Sequence, residues 1–122
     1  MATYTTYRHD KIKMEGELVF NDIRTFANDD ATPDVGTIGA DYSTNGVNFC
    51  LTATGNSGAL DVTNLGGGVA GQMVIIIGAA NANATTFKDG GHLLINGDWV
   101  EAAERTLTLI RHGADWYEIS RR

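Results

Sequence analysis

"RTLTLIRHGADWYEIS", residues 105–120, is the stretch whose reading decides the fold of this chain. Thr and Leu alternate from Thr106 to Leu109. In an extended chain this puts Leu107 and Leu109 on one face and Thr106 and Thr108 on the other. After the turn His112-Gly113-Ala114-Asp115, Trp116, Glu118 and Ser120 oppose Tyr117 and Ile119. Gly113 supplies the residue for which a positive φ is cheap. The reading is a hairpin of "TLTLIRH" (106–112) and "DWYEIS" (115–120), with large apolar groups on both faces. One face suits a core and the other a subunit contact.

The same punctuation runs through the chain. Twelve of the fifteen glycines lie between Gly36 and Gly91, and there is one proline. They separate short runs rich in Val, Ile, Thr, Leu and aromatics, which is the pattern of an all-β domain with many turns. "GELVFNDI" (16–23), Asn48 to Thr52 and Leu60 to Thr63 read as strands. "QMVIIIG" (72–78) reads as a central one, because it is β-branched, continuous and bounded by glycine. "ATTFKD" (84–89), "HLLING" (92–97) and "DWV" (98–100) complete the set. The best helical candidate, "GDWVEAAERTL" (97–107), makes at most one turn. "ANDDATPDVGTIGADYSTNG" (27–46) reads as a long solvated loop. Its Asp29, Asp30, Asp34 and Asp41 lack the spacing and the closing Glu of an EF-hand.

The chain has 122 residues, enough for one domain. No apolar run approaches the roughly 18 residues needed to span a bilayer. The polar start "MATYTTYRHDKIKMEG" is not a secretory signal, so a soluble, cytosolically made protein is expected. The single Cys50 excludes an internal disulfide and reads as a plain buried thiol. The net charge of −6 argues against a basic nucleic-acid-binding face. Arg8, Lys11 and Lys13 against Asp10 nevertheless make residues 1–14 locally basic. Residues 1–15 are therefore expected to form an extended N-terminal arm, and 16–122 a single all-β domain.

Two short patterns suggest enzymes, and both fail on context. "GGGVAG" (66–71) satisfies the dinucleotide fingerprint G-x-G-x-x-G. That fingerprint needs a helix next, whose N-terminus holds the pyrophosphate; here a strand-like run follows. Arg111-His112-Gly113 after an apolar strand matches the opening of a histidine phosphatase. That chemistry needs a large α/β domain afterwards, and only nine residues follow Gly113. His9, His92 and His112 are too scattered for a metal site. Asp98, Glu101, Glu104 and His92 are the remaining acid/base candidates, but nothing fixes their spacing. The expectation is a non-enzymatic protein with no cofactor and no metal.

Residues 71–122 resemble a recurrent module of tailed-phage virion proteins. The match rests on Gly71-Gln72, Asp89-Gly90-Gly91, Leu107-Thr108-Leu109 and Trp116-Tyr117-Glu118-Ile119-Ser120. The module occurs in capsid decoration (cement) proteins, head fibres and tail-fibre ends, assemblies that are typically β-rich homotrimers. "RHGAD" departs from the pattern, which usually has an aromatic or acidic group before "DG". The resemblance implies a capsid cement protein on the outside of the virion head. As a homotrimer it would bridge neighbouring subunits of the major capsid protein, with no nucleic-acid or membrane partner. The expected architecture is a compact antiparallel sandwich or barrel, jelly-roll-like. Exposed strand edges and the apolar run "MVIII" favour burial by further copies. Ile75, Ile77, Leu107, Leu109, Trp116 and Ile119 are the expected core and trimer contacts. Tyr4, Tyr7, Arg8, Lys11 and Lys13 on the arm are the expected capsid contacts, because Tyr and Arg are favoured interface anchors. The alternative reading is a head-fibre or tail-fibre tip that binds a host-surface glycan or protein, with Tyr42, Trp99 or Trp116 stacking on sugar.

Overall fold

The computed structural model describes residues 23–37 and 47–122. Among them there are strands, turns and loops, and no helix. Nine strands form two sheets. They are β1 (Arg24–Thr25), β2 (Val47–Leu51), β3 (Leu60–Val62), β4 (Met73–Ile77), β5 (Thr85–Phe87), β6 (Leu93–Leu94), β7 (Trp99–Val100), β8 (Thr106–His112) and β9 (Asp115–Arg121). The large sheet has the order β1-β2-β4-β8-β9-β6, and the small one β3-β5-β7.

The all-β expectation holds. The antiparallel expectation does not: β1–β2, β2–β4, β6–β9 and β3–β5 are all parallel pairs. Only β4–β8, β8–β9 and β5–β7 are antiparallel. The physical reason is the path of the chain. From β2 to β8 successive strands alternate between the large sheet and the small one. Up to β4, each return to the large sheet lays a strand beside the previous one in the same direction, so this part of the chain coils as in a solenoid; β6 instead joins the far edge beside β9, and β8 returns antiparallel to β4. Positions 24, 50 and 76 share one row of the large sheet, and 25, 51 and 77 the next, a repeated step of 26 residues. In the small sheet Leu60 pairs with Thr85, a step of 25. The arrangement is solenoid-like and not a clear jelly roll.

Side-chain amides reinforce the stacked coils. Asn56 Oδ1 accepts from Asp29 N at 2.9 Å, and its Nδ2 donates to Asn83 O at 3.2 Å. Asn83 Nδ2 returns a bond to Asn56 O at 2.7 Å. The hairpin β8–β9 closes the stack, with β8 running antiparallel to the last coil strand, β4.

The core lies between the sheets. Cys50, Val74, Ile76, Leu107, Leu109, Trp116 and Leu93 point inward from the large sheet. They meet Val62, Phe87 and Trp99 of the small one, where Phe87 and Trp99 pack edge to face at 5.4 Å between centroids. Residues 27–37 are less solvated than their composition suggests. Val35 is buried, and Val35 N donates to Gly66 O at 3.0 Å. Asp29 and Asp34 are spent on backbone: Asp29 Oδ1 accepts from Ser57 N at 2.8 Å, and Asp34 Oδ1 from Gly36 N at 2.6 Å. A buried amide pair ties this loop to the sheet. Gln72 Nε2 donates to Gly36 O at 2.9 Å and to Asn48 Oδ1 at 3.0 Å, and Asn48 donates to Val35 O.

Candidate interaction surface

The two enzyme-like motifs meet in space, and each explains the other. Arg111 lies near the end of β8 and reaches back to the glycine turn before β4. Its Nη1 donates to Gly67 O, and to Gly68 O at 2.8 Å, while Nε donates to Gly113 O at 3.0 Å. The guanidinium sits over the Trp116 ring at 5.9 Å. Gly68 has φ +79°, and a Cβ there would stand 2.9 Å from Trp116 Cζ2. The glycines therefore let the backbone approach a buried tryptophan, and the arginine holds them there. No helix begins after either motif: β4 follows the glycines and β9 follows Gly113.

The acid/base candidates do not converge. Asp98 pairs with Lys88, and its Oδ1 accepts from Asp89 N at 2.9 Å. His92 Nδ1 faces Asp115 Oδ1 at 2.8 Å. Glu101 is buried, and its Oε1 accepts from Thr85 N at 2.6 Å and Asn81 Nδ2 at 3.0 Å. Among the described residues no three His, Cys, Asp or Glu side chains are grouped as a metal site would require. The Cys50 thiol is buried, and desolvation pushes its pKa up to about 12 despite nearby Arg24. It therefore stays protonated at neutral pH.

What remains is the outer face of the large sheet. Strand register places its side chains in rows. One row runs across five strands: Val47, Met73, Ile110, Tyr117 and Leu94. The next is Phe49, Ile75, Thr108 and Ser120. The third is Thr25, Leu51, Ile77 and Thr106. No position in these three rows carries a charge, and a fourth row beyond Ile110 and Tyr117 is ionisable: His112, Asp115 and His92. The apolar members are partly exposed, with Leu94 and Tyr117 at 38% each. The sheet is thus apolar on both sides, one sealed in the core and one still in contact with water.

The residues singled out in the sequence divide between these sides. Leu107, Leu109 and Trp116 are fully buried inside. Ile75 and Ile77 lie half-buried on the outer face. Ile119 is 51% exposed, because a bulge pairs Leu109 with Glu118 and Thr108 with Ser120, leaving Ile119 as the extra residue. That bulge ends the simple alternation read from "DWYEIS". Trp99 and Trp116 are wholly buried, so neither can stack on a sugar. Tyr42 and the arm residues Tyr4, Tyr7, Arg8, Lys11 and Lys13 lie outside the described residues. Sequence reasoning missed Val47, Phe49, Leu51, Met73 and Ile110 as parts of one surface. Each strand's alternation was available, but the register that aligns them was not. No protein-family model, curated protein or solved structure matches the chain.

Proposed function

We propose that this protein is a structural component of a bacteriophage virion, a capsid cement protein. It assembles as a homotrimer on the outside of the head and bridges neighbouring subunits of the major capsid protein. The observation that carries the reading is the largely apolar, partly exposed outer face of the large sheet, a surface fit for assembly. The resemblance of residues 71–122 to virion modules gives the assembly its context. Its quoted residues fall on the turn before β4, the β5–β6 connection and the β8–β9 hairpin, which form the closing part of the stack. The basic arm, with Tyr4, Tyr7, Arg8, Lys11 and Lys13, is assigned to capsid contact.

The test has two parts. Quantitative mass spectrometry of purified virions should count on the order of hundreds of copies per particle, as closed symmetric assemblies on a capsid require. Deleting residues 1–14 should leave a folded oligomer that no longer binds capsids. A few tens of copies or fewer would favour a fibre tip that binds a host surface. Absence from virions would overturn the virion reading altogether.

A further inference from the structure

Asn96 differs from every other described asparagine in two ways. The first is its side chain. Asn28, Asn48, Asn56, Asn64, Asn81 and Asn83 each hold a hydrogen bond through the side-chain amide. Among the described asparagines only the Asn96 side chain makes none; its bonded group is the backbone N–H, which donates to Glu118 Oε2 at 2.7 Å. The second is its neighbour. Asn96 precedes Gly97, whereas the others precede Asp, Phe, Ser, Leu or Ala. Both residues are exposed in the loop between β6 and β7. Gly97 has φ +78°, and nothing lies within 4 Å of where its Cβ would stand.

Together these features allow a reaction. A glycine nitrogen has no Cβ beside it, so it is the least hindered backbone nucleophile. An untethered side-chain amide one residue earlier is free to turn toward it. We infer that Asn96 is a modification site, at which the chain deamidates spontaneously with water as the co-reactant. Gly97 N gives up its proton and bonds to Asn96 Cγ. The Cγ–Nδ2 bond breaks, and ammonia leaves with that proton. The bond from Gly97 N to Ile95 O, 3.1 Å long, opens as the nitrogen attacks. The cyclic imide then takes up water at one of its two carbonyls. Opening restores the main chain as aspartate or reroutes it as isoaspartate.

The fold gives this reaction a consequence. Asn96 N is held by Glu118 Oε2, and Gly97 O accepts from Arg121 Nη2 at 2.9 Å. Both anchors stand on β9. Isoaspartate inserts a methylene between them and adds a negative charge to the residue that Glu118 holds. Conversion therefore loosens the β6–β7 loop from β9. The inference is independent of the cement reading, because it needs no partner.

The experiment uses the full native chain, aged in warm, mildly alkaline buffer and checked for folding by circular dichroism. Trypsin then releases Asp89–Arg105, in which Asn96 is the only asparagine. This peptide should gain about 1 Da as amide becomes acid, a change typical of thermolabile asparagines. An isoaspartate-specific methyltransferase should label it. Most other asparagines lie in the tryptic peptide Thr25–Lys88, where Asn45 precedes Gly46 outside the described residues and is mapped separately. Lacking a glycine neighbour, the rest of that peptide should convert about tenfold more slowly or less. Asn96→Gln should abolish both the mass gain and the label in Asp89–Arg105. Aged wild type should melt below fresh protein, and aged Asn96→Gln should not. Conversion that appears only after unfolding in urea overturns the proposal, since the fold then holds the two groups apart. No conversion in either state overturns it as well. An unchanged Tm in converted protein overturns the loosening of the loop.

Discussion

Gly68→Ala is the substitution that most directly tests the packing of the glycine turn against Trp116. Two independent costs apply. Gly68 has φ +79°, which an L side chain adopts at a cost of about 1 kcal/mol. The added Cβ would also lie 2.9 Å and 3.0 Å from Trp116 Cζ2 and Cη2. Ordinary carbon contacts start near 3.5 Å, so ring or turn must yield by about half an ångström. Trp116 is fully buried and held between Arg111 and the core, so overpacking adds about 2 kcal/mol. The total is about 3 kcal/mol, or a fall of roughly 12 °C in Tm at this chain length. Gly71→Ala separates the two costs. Its φ is +86°, but nothing lies within 4 Å of its Cβ, so it should lose only about 1 kcal/mol. Gly58 has neither a positive φ nor a neighbour, and Gly58→Ala should be neutral or stabilise by about 0.5 kcal/mol. Urea and thermal unfolding of the three variants give the series. Equal losses at Gly68 and Gly71 would refute the contact with Trp116.

Arg111→Ala should destabilise by about 2–3 kcal/mol, because three carbonyls of the Gly67, Gly68 and Gly113 turns lose a charged donor. Arg111→Lys should recover less than half of that in the same unfolding assay, since one ammonium cannot serve the fork. Cys50 should resist a maleimide at pH 8 in the native protein and react fully in denaturant; fast native labelling would contradict its burial. Arg121, bonded at 2.6 Å, holds the Glu118 carboxyl below its ordinary value of 4.5. A depressed carboxylate stabilises the fold above that value and loses the contribution as pH falls through the folded pKa. The wild type should therefore lose more Tm than Glu118→Gln between about pH 5 and pH 3, a difference that vanishes if the pair is idle.

Most strand positions from β2 onward were legible because alternation and glycine punctuation are local. β1 at Arg24–Thr25 was not read as a strand, and "GELVFNDI" lies, but for Ile23, outside the described residues. "TLTLIRH" and β8 share the range 106–112, and "QMVIIIG" contains the whole of β4. The partners of those strands were not legible. Positions 24, 50 and 76 stand in one row, yet they are Arg, Cys and Ile. Positions 26, 52 and 78 follow on as Phe, Thr and Gly. A repeat carried by backbone pairing leaves no trace in such side chains, so the coil was hidden and a hairpin-linked sandwich was the natural expectation. The bulge at Ile119 was hidden for the same reason, since an extra residue shows only against its partner strand. The outer face shares this history: its apolar residues come from strands far apart in sequence and become one surface only through register.

The order in which the strands are made has a consequence for synthesis in the cell. β2, β3, β4 and β5 can stack as they leave the ribosome, since each coil pairs with the one before it. β4 then waits for β8, which begins at Thr106, about 30 residues and some 2–6 s of translation later. Throughout that interval "MVIII" presents an unpaired edge and two greasy sides at once. Ribosomes reading neighbouring copies on one messenger would hold several such edges close together. A nascent chain paused between Ile77 and Thr106 is therefore the form of this protein most exposed to chaperones, proteases and wrong partners.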